Sequence, residues 1–219
     1  MRGDMNNPKV LVIDAGLGNI GSVKAAFERL NCKCERLEKP PAKNEYGEYS
    51  HAVLPGVGSF ETGVSALRSK GWEDWIKNEW CDAKRPFLGI CLGMQLLATC
   101  GTEGSTSDKT VKGLDLIPGL VDILEVDEGI KLPHVGWNAV HWHETTSKLA
   151  FGLPKGGDMY FVHSYAFRTE ESAHQLAYSE HGKEFTSVVA RGSCYGVQFH
   201  PEKSQRLGRH LLKNFLNLE

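Results

Sequence analysis

Three short strings hold the residues whose types and spacing could do covalent chemistry together. The stretch LGICLGMQ (88–95) sets Cys91 between Gly89 and Gly93, at the junction of an apolar strand and a helix. This G-x-C-x-G pattern is that of a nucleophile elbow, in which the side chain sits on a strained turn and the residues two places to either side must be small. A helix starting at Leu92 would aim its first amides and the positive end of its dipole at the sulfur, favouring thiolate and offering a donor to an oxyanion. Taken alone, the string also suits a buried cysteine in a glycine-containing βα turn.

The second string, YGVQFHPEKS (195–204), runs a strand into His200-Pro201-Glu202. An i, i+2 spacing in extended chain sends both side chains to one side. There His200 could take a thiol proton and return it to a leaving group, while Glu202 holds the tautomer and stabilises the imidazolium. The alternative is that the pair only caps the last helix. The third string, LPGVGSF (54–60), is a Pro-Gly-x-Gly turn whose amides could complete an oxyanion hole, although Gly56 and Gly58 also suit any tight turn. All three strings fall at the C-terminal ends of expected strands, where open α/β sheets place their sites.

The elements that must position these strings follow from the periodicity. Residues 9–14, 34–38, 51–55 and 86–90 read as strands, and 19–30, 60–69, 71–82 and 92–100 as helices, the last ended by Gly101. Such βα alternation predicts a parallel sheet. Short β-rich runs at 120–126, 138–143, 159–165, 175–180, 185–191 and 195–200 predict antiparallel additions, with a final helix at 203–217. The Gly-, Ser- and Thr-rich stretch 100–113 is expected to be a mobile loop, and residues 1–8 a short N-terminal extension to one domain over 9–219.

Composition bounds the partners. The chain has 219 residues, 41% hydrophobic and 24% charged, with a formal net charge of −2. That balance offers no basic footprint for nucleic acid, and no apolar run is long enough to span a membrane. No apolar segment follows MRGDMNN, so a cytoplasmic location is expected, with all six cysteines as thiols.

GLGNIG (16–21) fits the dinucleotide template G-x-G-x-x-G, with Glu35 or Glu38 near the ribose-binding position, but the same glycines serve any tight βα turn. Cys32-Lys33-Cys34 and His141-Trp142-His143 have no second pair at ligand spacing, and strand alternation explains both. His163 reads as a hydrogen-bonded strand histidine. Neither a metal nor a cofactor is expected.

Taken together, PGVGSF, GICLGMQLL and VQFHPEKS resemble the three hallmarks of class I glutamine amidotransferases, and the resemblance covers nearly the whole chain. It implies an α/β fold: a three-layer, flavodoxin-like domain with a mostly parallel central sheet and antiparallel β additions in the C-terminal half. It also implies hydrolysis of glutamine through a glutamyl thioester, with Cys91 as nucleophile, His200 as base and Glu202 as its orienter. Val57 and Leu92 would serve the oxyanion, and Gly56, Gln95, Ser164 and Tyr165 the glutamine.

LPHVGWN, YFVHSY and Lys203-Ser204 are similar to the branch of that family that feeds a (β/α)₈-barrel cyclase. In that branch the cyclase makes imidazole glycerol phosphate and aminoimidazole carboxamide ribotide in histidine biosynthesis. The resemblance implies a heterodimer with that cyclase, with Asn19, Pro133, His134, Trp137, Tyr160 and Lys203 at the interface or along an ammonia path. Delivery to another synthase, such as one acting on a sugar, and a non-catalytic scaffold role are the alternatives.

Overall fold

The structure is a computed structural model that describes residues 8–104, 110–143 and 147–219. The chain runs β1 (Lys9–Ile13), α1 (Ile20–Glu28), β2 (Lys33–Leu37), β3 (His51–Gly56), α2 (Phe60–Ser69) and α3 (Trp72–Asp74), which continues as a π-helical stretch over Trp75–Cys81. Next come β4 (Phe87–Cys91), α4 (Leu92–Gln95), β5 (Cys100–Gly101), β6 (Val111–Lys112), β7 (Gly119–Ile123), β8 (His134–Trp142), β9 (Gly156–His163) and β10 (Tyr165–Thr169). The last elements are β11 (Gln175–His181), β12 (Lys183–Arg191), β13 (Cys194–Val197) and, after a 3₁₀ turn at Pro201–Lys203, α5 (Gln205–Leu216).

The large sheet has the order β2-β1-β3-β4-β13-β12-β11-β8-β9. Its first five strands pair in parallel and the rest antiparallel. The parallel part has the doubly wound, flavodoxin-like order. Strand periodicity builds the layers, because Val10 and Val12 face the core of Phe27 and Phe215 while Leu11 and Ile13 face that of Leu67, Trp72 and Trp80. Helices α1 and α5 therefore cover one face, and α2 and α3 the other. A second sheet, β10-β7-β5-β6, sits beside the first.

Five expectations are corrected. The expected helix 92–100 stops at Gln95, because the carbonyls of Leu96, Leu97 and Ala98 accept instead from the amides of Leu114, Leu116 and Asp115. The stretch 100–113 begins and ends in the antiparallel pair β5–β6; residues 105–109 of that expected loop, like residues 1–7 of the extension, lie outside the described residues. The run 159–165 is two strands in different sheets, since β9 pairs with β8 and β10 with β7, and the chain changes sheet at Ser164, whose carbonyl accepts from Leu124 N at 2.8 Å. The strand 195–200 ends at Val197, and the last helix starts only at Gln205.

Candidate active site

Cys91 ends β4 with φ 54° and ψ −112°, a sparsely populated conformation for a residue with a side chain. The two glycines explain how the turn closes. A Cβ on Gly93 would lie 1.9 Å from the Leu54 carbonyl oxygen, and one on Gly89 would lie 2.4 Å from the Gly93 carbonyl oxygen. Helix α4 is a single turn, so the long dipole expected behind the sulfur is absent and only the first amides remain to act on it.

His200 arrives beside Cys91 because β13 pairs directly with β4. Its backbone is tied down by Tyr160 O, which accepts from His200 N at 2.8 Å, and by Ser204 Oγ, which donates to His200 O at 2.6 Å. Its Nδ1 meets Glu202 Oε1 at 2.8 Å. The two side chains do converge, but through a 3₁₀ turn at Pro201–Lys203 rather than the extended chain expected. Burial opposes the charged imidazole, yet the Cys91 side chain and the Glu202 carboxylate together outweigh it, and the His200 pKa is pushed up from 6.5 to about 9.

The sign of that shift fixes a pH dependence. The folded state binds the proton more tightly, so the stability contributed is complete below pH 6.5 and is lost as pH rises through about 9. Denaturant titrations across this window are expected to show a decline in wild type and a smaller one in Glu202→Gln. An equal decline in both would separate Glu202 from the shift.

The carboxylate is held from a second direction, because the Asn19 side-chain amide donates to Glu202 Oε1. Asn19, expected toward a partner, therefore also buttresses the acid, and its positive φ of 56° is what the glycine-rich turn provides. Loss of a hydrogen bond to a charged group costs about 1.5–3 kcal/mol, so Asn19→Ala should lower kcat roughly 10–100-fold with the fold retained. An unchanged kcat would leave Asn19 with no part in holding Glu202.

The rest of GLGNIG is engaged in the same structural work. Gly16 and Gly18 have φ of 86° and 75°, Gly16 N donates to Asp14 Oδ1 at 2.8 Å, and Leu17 O accepts from Val57 N at 2.8 Å. Glu35 bonds Lys9 and Tyr49, and Glu38 bonds Arg36. The motif is a turn that braces the site. Cys32 donates to Pro8 O, His141 and His143 both lie against the Tyr178 ring, and among the described residues no group of three or more His, Cys, Asp or Glu is arranged to hold a metal.

A cavity of about 220 Å³ opens at Cys91, lined by Val57, Leu92, Gln95, Glu103, Ser164 and Tyr165 among others. Gln95 Nε2 donates to Tyr165 O and to Gln198 Oε1, both at 3.0 Å, and Gln198 Nε2 lies 3.8 Å from Cys91 Sγ. Gln198 and Glu103 were not singled out from sequence, although Gln198, two residues before His200 on the same strand run, could have been found by alternation. Glu103 gave no local signal, because it comes from a turn brought over the site by β5. Burial raises the Glu103 pKa against the lowering effect of the Phe60 amide bonded to its carboxylate.

One donor does not stand as expected. Val57 N is bonded to Leu17 O, so this amide is turned away from the role of oxyanion donor in the conformation described. The Gly56 backbone lies directly against α4, where a Cβ would meet Leu92 Cβ at 3.1 Å.

Beside the cavity, His163 Nδ1 lies 2.9 Å from Tyr165 O, His163 Nε2 lies 3.0 Å from His134 Nδ1, and His134 Nε2 lies 3.2 Å from the Asn138 amide. A carbonyl at one end and an amide donor at the other fix both tautomers as neutral, each ring donating from Nδ1. Burial lowers the pKa of His134 to about 4 and of His163 to about 3. His134 is 4% exposed, whereas Pro133, just before β8, and Trp137, on the opposite face of β8, are exposed, Trp137 at 48%. His134 thus lies in the interior beside the cavity. Trp137 packs edge-on against Tyr160 at 5.9 Å, and Lys203 Nζ stands 5.7 Å from the centre of the Tyr160 ring.

The profile of the class-I glutamine amidotransferases matches residues 11–218. The chain is 51% identical over 211 residues to the imidazole glycerol phosphate synthase subunit HisH 1 of Prochlorococcus marinus (strain MIT 9313), covering 95% of this chain and 97% of the relative. It is 42% identical to the HisH subunit of Moorella thermoacetica, over 94% of this chain and 93% of that one. Among solved structures, a glutamine amidotransferase from Thermotoga maritima superposes with a TM-score of 0.64 at 23% identity, covering 96% of this chain and 81% of the other, which speaks to the fold.

Proposed function

The chain belongs to the class-I glutamine amidotransferase family, and from that premise we propose that it serves as the glutaminase subunit of an imidazole glycerol phosphate synthase, releasing ammonia for histidine biosynthesis. The observation that carries the chemistry is the convergence of Cys91 on its strained turn with the buried His200–Glu202 pair.

Glutamine would enter the 220 Å³ cavity with its side-chain amide toward Cys91. Glu103 offers a carboxylate to the substrate ammonium, and Gln95, Ser164 and Tyr165 border its amino-acid end. Cys91 Sγ attacks the amide carbon with its proton already held on His200 Nε2, a buried nitrogen with no other polar partner among the described residues. His200 returns that proton to the departing nitrogen, and ammonia leaves behind a thioester. Water then attacks the thioester, its proton passes to His200, and collapse releases glutamate and the thiol. The carbonyl oxygen needs donors during both attacks. The Leu92 amide is at hand, while Val57 must first leave Leu17.

A (β/α)₈-barrel cyclase is the partner this reading supplies. Its contact falls on the exposed Pro133, Trp137 and Lys203 and the half-buried Tyr160, which combine the aromatic and cationic types that interfaces favour. A docked partner would also keep water from ammonia, which loses its nucleophilicity on protonation.

A glutamine analogue with an electrophilic carbon in place of the side-chain amide tests the assignment. Mass mapping should find it on Cys91 alone, with glutamine protecting. Labelling spread over the other thiols would remove Cys91 from the role.

A further inference from the structure

Five cysteines take no part in the chemistry above, and one pair of them meets across the fold. Cys81, at the end of the π-helical stretch, and Cys194, the first residue of β13, are 113 positions apart in sequence, yet their sulfurs lie 3.0 Å apart. Both are free thiols. A cavity of about 520 Å³ opens onto the pair, bordered by Lys84 and Arg191 and also by Asp82 and Glu219. Cys81 is partly exposed toward it, while Cys194 is buried. We propose that Cys81 and Cys194 form a reversible dithiol–disulfide site that exchanges with small disulfides of the glutathione type.

The geometry supports closure at low cost. A disulfide places its sulfurs about 2.05 Å apart, so the pair needs a movement of about one ångström. Access sets the order of events, because contact with Cys194, burial and Asp82 push the Cys81 thiol up and only its exposure to the cavity favours it as the first nucleophile. The contact with Cys81 holds the Cys194 thiol below its ordinary pKa against the effect of burial, and Arg191 adds to the lowering. Cys81, the more exposed sulfur, loses its proton and attacks glutathione disulfide, forming a mixed disulfide and releasing one glutathione, which takes that proton. Cys194 then attacks the Cys81 sulfur as a thiolate and displaces the second glutathione, which takes the second proton. Two protein thiols are oxidised and one glutathione disulfide is reduced.

The bond would fasten the helical layer to the entry of β13. Cys194 pairs there with Phe87, at the opposite strand ends from Cys91 and His200. The site is therefore a clamp on the scaffold and lies apart from the triad.

The test treats the full chain with glutathione disulfide and digests it without reduction. The expected product is a linked peptide pair containing Cys81 and Cys194, two hydrogens lighter than the thiols, with Tm raised by roughly 5–10 °C and restored by dithiothreitol. Cys194→Ser should stop at the Cys81–glutathione mixed disulfide, and Cys81→Ser should give no linked pair. Wild-type protein carrying only mixed disulfides, or an unmodified pair, would overturn the proposal, as would an unchanged Tm in the linked form.

Discussion

Glutamate formation falls roughly 10⁵–10⁶-fold in Cys91→Ala, a loss of the size seen when a covalent nucleophile is removed from a site whose members act as a unit. The turn that holds residue 91 at positive φ is closed by Gly89 and Gly93 and not by the sulfur, so the fold should persist. The variant should accordingly unfold at nearly the wild-type denaturant concentration and still bind the proposed cyclase. Supplied with ammonium salts in place of glutamine, the complex should recover synthase activity. The paired measurements are glutamate release and ammonia-driven product formation. Loss of both would mean that the substitution damaged the assembly, and retained glutamate release would mean that Cys91 is not the nucleophile.

The second large effect concerns the scaffold. In Gly93→Ala the new methyl would sit 1.9 Å from the backbone oxygen of Leu54, and β3 cannot give way without breaking its pairing with β4. A loss of about 3 kcal/mol or more is expected, enough to lower Tm by roughly 10 °C. Gly21→Ala is the control, because a Cβ there meets nothing within 4 Å and the residue lies in α1, where alanine is the better helix former. It should gain about 0.5–1 kcal/mol. Urea unfolding of the two variants separates steric closure of the elbow from a general sensitivity of glycines; similar small changes in both would contradict the account of the turn.

Much of the site was legible because local sequence constrains it. A cysteine flanked by glycines at i±2 after an apolar run has few ways to fold, and His200-Pro201-Glu202 places a base and its carboxylate within one turn. The βα alternation of the first half gave the parallel sheet. Long-range effects were harder to read. Helix α4 is cut short by amides of residues 114–117, which local periodicity does not reveal. Ser164 passes the chain from one sheet to the other inside a single apolar run, so 159–165 looked like one strand. Asn19 reaches Glu202 across 183 positions, and Glu103 reaches the cavity from a turn whose composition suggested only a loop.

On the proposed function, Val57 bears on the rate of the reaction. Its amide is bonded to Leu17 in the turn that also presents Asn19 to Glu202, so one segment touches both the acid and the oxyanion strand. A site in this conformation lacks one donor for the tetrahedral intermediate, and loss of one such donor typically costs 10²–10³-fold in rate. The isolated chain is therefore expected to be a slow glutaminase until a partner resets the turn.

The most direct measurement is glutamate release from glutamine by this chain alone and then mixed with a purified (β/α)₈-barrel cyclase and its nucleotide substrate. The account predicts slow release alone and a rise on the order of 10²-fold or more on mixing. Wild-type release that stays at the Cys91→Ala level with the cyclase present would contradict it.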